Sequence, residues 1–162
     1  MAAKPAAKAE NDRRTVARNR RATHDYAILE RIEAGLVLTG TEVKSLRQAQ
    51  ATLAGSYVRI DDAGFVAWLV GCQIPEYSHG TYANHPPLRK RKLLLQRQQI
   101  EKLRSAVTTE GTTIVPLEIY FKGPWAKIEI ALAKGKRKAD KREAIKGREA
   151  KRDIERAERR RR

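Results

Sequence analysis

The sequence predicts a mainly β protein: a small β-barrel with short helices and a basic C-terminal tail. Three observations lead there. In "TIVPLEIYFK", Val115, Leu117, Ile119 and Phe121 share one parity, and after a Gly123–Pro124 turn Ile128, Ile130 and Leu132 alternate with Lys127 and Glu129. That pattern is a hairpin with one buried face. Three further apolar runs bounded by turn residues bring the count to at least five strands within about 110 residues, which suits a closed or partly open barrel. A β-sandwich with helical caps fits the same runs. Lastly, the charge is lopsided, and the excess lies on the two ends of the chain.

Residues 1–18 hold few bulky apolar side chains and read as a flexible basic extension. "YAILERIEAGLV", Tyr26 to Val37, reads as the first strand. Thr39 and Glu42 then have capping-box spacing, with Val43 and Leu46 on one face behind them, which predicts a short helix from about Thr41 to Ala49. Val58 and Ile60 alternate with Tyr57 and Arg59 in the second strand. "DDAG" is a turn, and the strand from Phe65 to Ile74 is apolar on both parities, so it should be covered on both faces. "PEYSHGTYANHPP" is loop by composition. "LRKRKLLL" joins it to a helix near Gln96–Thr109, where Ile100, Leu103 and Val107 share a face and Gly111 supplies the stop.

The net charge of +16 divides unevenly: +5 over residues 1–21, +2 over residues 22–133 and +9 over residues 134–162. A balanced middle with cationic ends points to a polyanion, nucleic acid first and an anionic membrane surface second. Solvated tails without a role are the plain alternative. The longest apolar run, "FVAWLVGC", is far short of the ~20 residues that span a membrane. Lone Cys72 allows no internal disulfide, which fits a reducing cytoplasm. The N-terminus lacks the apolar stretch of a secretory signal, and Glu10 and Asp12 weaken a transit-peptide reading.

The tail has its own logic. Ile145 and Ile154, at about 100° per residue, fall on opposite sides of a helix, so no apolar stripe docks it on the barrel. Acid-first pairs such as Glu155 and Arg159 favour a helix by about 0.2–0.5 kcal/mol each, while Gly147 opposes it by up to about 1 kcal/mol. The expectation is a tail disordered alone and helical on an anionic surface, reaching roughly 40 Å.

Two clusters suggest RNA contact. In "NRRATHDY", Arg20 and Arg21 suit phosphate and His24 suits base or sugar; the same residues suit an arm that caps the barrel. Arg89, Lys90, Arg91 and Lys92 follow a loop with Tyr77, Tyr82, Asn84 and His85, a mixture of cations, aromatics and amides that unpaired bases use. A solvated charge run is the alternative there. His24, Asp25, His79, His85 and Cys72 match no metal-ligand spacing, and there is no phosphate-cradling glycine loop and no G-x-S-x-G elbow. No catalytic residue, metal or cofactor is expected, and a nuclease is the enzyme reading left over.

"NRRATHDYAILERIEAGLVLTGTEVKSLR", "YANHPPLRKRKLLL", "IVPLEIYF", "WAKIEIALAKGKR" and "DKR" together resemble the SsrA-binding protein family, the bacterial partners of transfer-messenger RNA, over Asn19 to Arg142. The resemblance implies an oligonucleotide-binding-type (OB-like) barrel over residues 19–133 that grips the tRNA-like domain of that RNA as a monomer. The tail, 134–162, would enter the empty mRNA channel of a stalled ribosome, near the decoding centre, and fold there. Asn19, Arg20, Arg21, His24, Glu42, Lys44, Arg47, Asn84, Arg89, Arg91, Lys92, Leu94, Lys127 and Lys134 would form the RNA surface. Gly135, Lys136, Arg137, Asp140, Lys141, Arg142, Ile145, Lys146, Arg148 and Ile154 would form the ribosome-facing tail. Gln96 stands where the family commonly has asparagine, Ala139 where a histidine stacks near the decoding centre, and Ala150 where an aromatic is frequent. A basic ribosomal structural protein is the competing function.

Overall fold

The computed structural model describes residues 13–61, 63, 65–109 and 111–160. The chain runs β1 (Arg13–Arg18), α1 (Ala22–Asp25), β2 (Tyr26–Leu36), α2 (Gly40–Arg47), β3 (Tyr57–Asp61), β4 (Val66–Val70), β5 (Arg91–Leu94), α3 (Arg97–Val107), β6 (Thr112–Lys122), β7 (Trp125–Gly135) and α4 (Lys138–Arg160). The seven strands form one antiparallel sheet in the order β1-β6-β7-β2-β5-β4-β3. The sheet curls until β3 also packs on β6, which makes a partly closed, OB-like barrel.

The long central hairpin forms as its alternation dictates, with Lys122 opposite Trp125 across the Gly123–Pro124 turn. Its burial departs from the single buried face expected. An extra residue in β6 breaks the register between Pro116 and Glu118, so the parity reverses there. Ile114 lies in the main core before the break, and Ile119 and Phe121 lie in it after. Val115 and Leu117 instead join Ala131, Ala133 and Ala22 in a second, smaller core beneath α1. β6 is therefore covered on both faces, and β4, expected to be so covered, buries only Ala67 and Leu69. A similar break in β2 between Ile28 and Glu30 turns Leu29 out to solvent.

Three elements were not expected. Arg13–Arg18, assigned by sequence to the flexible extension, pair with β6 as an edge strand; residues 1–12 lie outside the described residues. Ala17 in the core and the Thr15 and Arg13 bonds to Glu118 are what hold β1 there. α1 is one short turn, and the Asn19 side chain ahead of it accepts from the Ala22 N–H at 3.2 Å. β5 lies inside "LRKRKLLL", between β2 and β4. The predicted capping box does form: Glu42 accepts from the Thr39 N–H at 2.8 Å at the start of α2. Of the "DDAG" turn, Asp61 and Ala63 are described, and the Ala63 N–H donates to the Asp61 carboxylate at 3.1 Å.

Residues 138–160 form a helix of about 34 Å at 1.5 Å per residue. It leaves the barrel with Ile145 and Ile154 exposed, as the absence of an apolar stripe requires. A helix is the form expected of the tail on an anionic surface. Local bonds sustain it: Asp140 accepts from the Arg137 N–H at 3.2 Å, half of a capping box, and Asp153 pairs with Arg156 at 3.9 Å.

Candidate RNA interface

The outward face of β7, β2 and β5 brings several predicted residues together. Register places Gly35 opposite both Lys127 and Leu94, so Lys127, Gly35 and Leu94 form one row across three strands. Gly35 is what lets Leu94 lie on the sheet: a Cβ there would stand 3.1 Å from the Leu94 Cβ. Leu94 remains 56% exposed, an uncovered apolar platform. Lys92, Gln96, Lys127 and Glu33 border it, and the cleft they line measures about 560 Å³. Glu33 accepts a hydrogen bond from the Tyr120 hydroxyl and faces Lys122 and Lys127 at 3.8 and 3.9 Å. The Tyr120 bond, against some burial, and the two lysines hold the Glu33 carboxyl below its ordinary range. An apolar platform with cations and an amide at its rim suits a base stacked flat with phosphates on either side.

A second group lies on α2, where Lys44 and Arg47 are both exposed. The Lys44 ammonium stands 5.5 Å from the Tyr77 ring centre, and the Arg47 guanidinium 5.4 Å from that of Phe121. A third gathers around α1. Arg20 and Arg21 are exposed, and His24 Nδ1 meets the Asp25 carboxylate at 2.9 Å. Asn19 is a staple between elements, since its amide donates to the Pro116 carbonyl at 3.1 Å. Lys134 is exposed beside Gly111 at the end of β7.

The remaining predicted residues are engaged within the protein, two of them by full burial. Glu42 is fully buried and cannot face RNA. It receives Arg89 at 2.7 and 3.1 Å and Arg91 at 2.9 Å. Arg91 is likewise fully buried, and its guanidinium also donates to the carbonyls of Cys72, Arg89 and Pro87. Arg89 keeps about a third of its side chain in solvent but directs Nε and Nη2 at Glu42. Burial pushes the Glu42 carboxyl up; the Arg89 bond, the Thr39 N–H and the Arg91 charge outweigh it and bring it to about 2. The Asn84 amide is occupied within its own loop, donating to Tyr77 and Gly80 and accepting from the Tyr77 N–H. These residues hold the loop between β4 and β5 in place, with help from buried His85, whose Nε2–H donates to the Ile74 carbonyl.

Among the described residues, the histidines and Cys72 that could have formed a nuclease or metal site do not come together. His24, His79 and His85 bond to different partners, and burial pushes the Cys72 thiol up to about 11. Among the described residues no group of three or more His, Cys, Asp or Glu could hold a metal ion.

Sequence reasoning missed Glu33 and Gly35. A glycine inside an otherwise apolar strand was the available signal for Gly35, because it marks close approach by a neighbour.

A family model described as SmpB protein matches residues 16–160. The chain belongs to the SmpB family. Among SmpB relatives, the SsrA-binding protein of Streptomyces avermitilis is 54% identical over 148 residues, 91% of this chain and 82% of its own length. That of Thermobifida fusca is 55% identical over 149 residues, 92% of each chain. A chain of a solved structure described as "tmRNA-SmpB: a journey to the center of the bacterial ribosome" superposes with a TM-score of 0.64 at 46% identity, covering 80% of this chain and 93% of that one.

If the platform binds RNA, Leu94→Ala separates function from folding. The side chain is more than half exposed, so its loss should change the unfolding free energy by less than about 0.5 kcal/mol. RNA affinity should fall by about tenfold or more, as losing a stacking surface implies. Thermal unfolding and filter binding on the same preparation decide this. Parallel losses in both would make Leu94 a structural residue.

Proposed function

We infer that this chain binds transfer-messenger RNA and delivers it to stalled ribosomes for trans-translation. The observation that carries this is membership of the SmpB family over nearly the whole chain, joined to a cationic helix that the barrel holds only at its first turn. The barrel holds the tRNA-like domain of the RNA. α4 probes the mRNA channel, where rRNA phosphates supply the anionic groove that its charge requires. Message in that channel would exclude it, so the tail reports a ribosome that has run out of template.

Within the barrel, the RNA surface is proposed to comprise Leu94, Lys92 and Lys127 on the sheet, Lys44 and Arg47 on α2, and Arg20, Arg21 and His24 at α1. Asn19, Glu42, Asn84, Arg89 and Arg91 position that surface from beneath. The tail residues from Gly135 to Ile154 face the ribosome, and with Ala139 in place of a stacking histidine they engage it through charge and helix formation. The chain acts in the cytoplasm, where stalled ribosomes are, and has an adaptor's role without chemistry of its own.

Capture from cells under mild salt, followed by sequencing of the bound RNA, tests the reading; transfer-messenger RNA should dominate. The surface is tested separately. Changing Lys92 and Lys127 to Ala should flatten the slope of log affinity against log salt by about one unit for each phosphate contact removed. Changing Arg89 should leave the slope unaltered, because its Nε and Nη2 donate to Glu42 and are turned away from solvent.

A further inference from the structure

The first turn of α4 is tied to α1 rather than hanging from a bare linker. The Lys136 N–H donates to the Asp25 carbonyl at 2.9 Å, and the Lys136 ammonium donates to the Thr23 carbonyl at 3.0 Å. One turn further on, the Lys141 ammonium meets the Asp25 carboxylate at 3.5 Å. His24 Nδ1 approaches the same carboxylate oxygen at 2.9 Å, so one carboxylate stands between the RNA-facing arm and the tail. Asp140, next to Lys141, caps the helix start through the Arg137 N–H. Beyond this joint the side chains of residues 145–159 are exposed.

We propose that Asp25 is a latch that sets the direction in which α4 leaves the barrel, and that a polyanion reaching His24 and Lys141 opens it. The physical reason is competition. Asp25 and Lys141 have 40% and 35% of their side chains in solvent, and an ion pair that exposed is weak and screened by salt. A phosphate offers Lys141 and His24 a better acceptor than one carboxylate does. The two Lys136 bonds keep the base of the helix in place when the pair opens, so the tail would pivot at residues 137–141 and stay attached. The free protein would carry α4 at one angle, and RNA at α1 would release it to search. Asp25 is a positioning residue, with no contact of its own to RNA.

The anion-release half rests on the RNA-binding reading; the latch itself does not. Distances between spin labels at Gln98→Cys on α3 and Ala150→Cys on α4, with buried Cys72 replaced by Ala, read the tail angle in the full-length protein. The unmodified latch should give one narrow distribution. Asp25→Asn should broaden it, with the latched-to-unlatched ratio falling about fivefold, the effect of losing one such pair. The exchange Asp25→Lys with Lys141→Asp should restore the narrow distribution, which a general loss of packing would not do. A short oligouridylate should broaden the parent and leave Asp25→Asn unchanged. An Asp25→Asn distribution like the parent's, or an exchanged pair that stays broad, overturns the latch. Oligouridylate that binds, by fluorescence anisotropy, without widening the parent distribution overturns anion release while RNA binding stands. Oligouridylate that does not bind counts against the RNA reading, and the Asp25 variants still decide the latch.

Discussion

Replacing Glu42 by Gln should lower the unfolding free energy by roughly 3–5 kcal/mol, the range for leaving one member of a buried ion pair unmatched. Glu42 and Arg91 are both fully buried, and Arg91 has no route to water that would let it shed the imbalance. The glutamine amide would also turn an N–H group toward Arg89 or the Thr39 N–H, where an acceptor now receives both. A drop of that size moves a urea midpoint by about 2 M at typical slopes. A shift under about 0.5 M would mean that solvent reaches the pair, and the buried triad would lose its structural role.

The same pair predicts acid sensitivity with a definite sign. The folded carboxyl titrates at about 2, below its ordinary 4.5. A depressed folded value stabilises the protein at pH above the unfolded value, and that stabilisation drains away as pH falls from about 4.5 towards 2. A difference of this size amounts to roughly 3 kcal/mol. The parent protein should therefore lose stability over that window, and Glu42→Gln should show a much flatter profile there. Equal slopes would assign the acid sensitivity to other carboxylates.

Removal of α4 by truncation after Arg137 should abolish peptide tagging on stalled ribosomes while the barrel stays folded. The helix contributes no residue to either core, and its described tie to the barrel beyond residue 137 is the Asp25–Lys141 pair. Thermal stability should accordingly change by less than about 1 kcal/mol. Affinity for transfer-messenger RNA should fall by less than about tenfold at physiological salt, through loss of general electrostatic attraction. Stopping at Arg137 matters, because β7 runs to Gly135 and Ala133 is buried. Loss of RNA binding and tagging together would overturn the division of work between barrel and tail.

The legible parts of this protein were those set by neighbours in the chain. The Thr39–Glu42 capping box lies within one turn, and the β6–β7 hairpin within one tight connection, so local spacing sufficed for both. The parity reversal in β6 was illegible because Val115, Leu117, Ile119 and Phe121 alternate without a break; the extra residue shows only against the β7 register. β5 was hidden because "RKRKLLL" reads as a charge run meeting an apolar run. Its alternation, Arg91 and Leu93 inward with Lys92 and Leu94 outward, follows from a buried carboxylate far away in the chain. Position in that run says nothing of which arginine Glu42 will claim.

Composition and order alone determined that a nearly neutral barrel carries cationic ends and that its tail has no apolar stripe with which to dock. Both are properties of a linear string, since net charge is additive and helical periodicity is local. Only the tertiary structure decided which cations face outward. Arg91 and Lys92 are adjacent in sequence, yet one completes a buried ion pair while the other rims an exposed platform. Side-chain direction in a strand depends on pairing register, and register is fixed by contacts between residues distant in the chain.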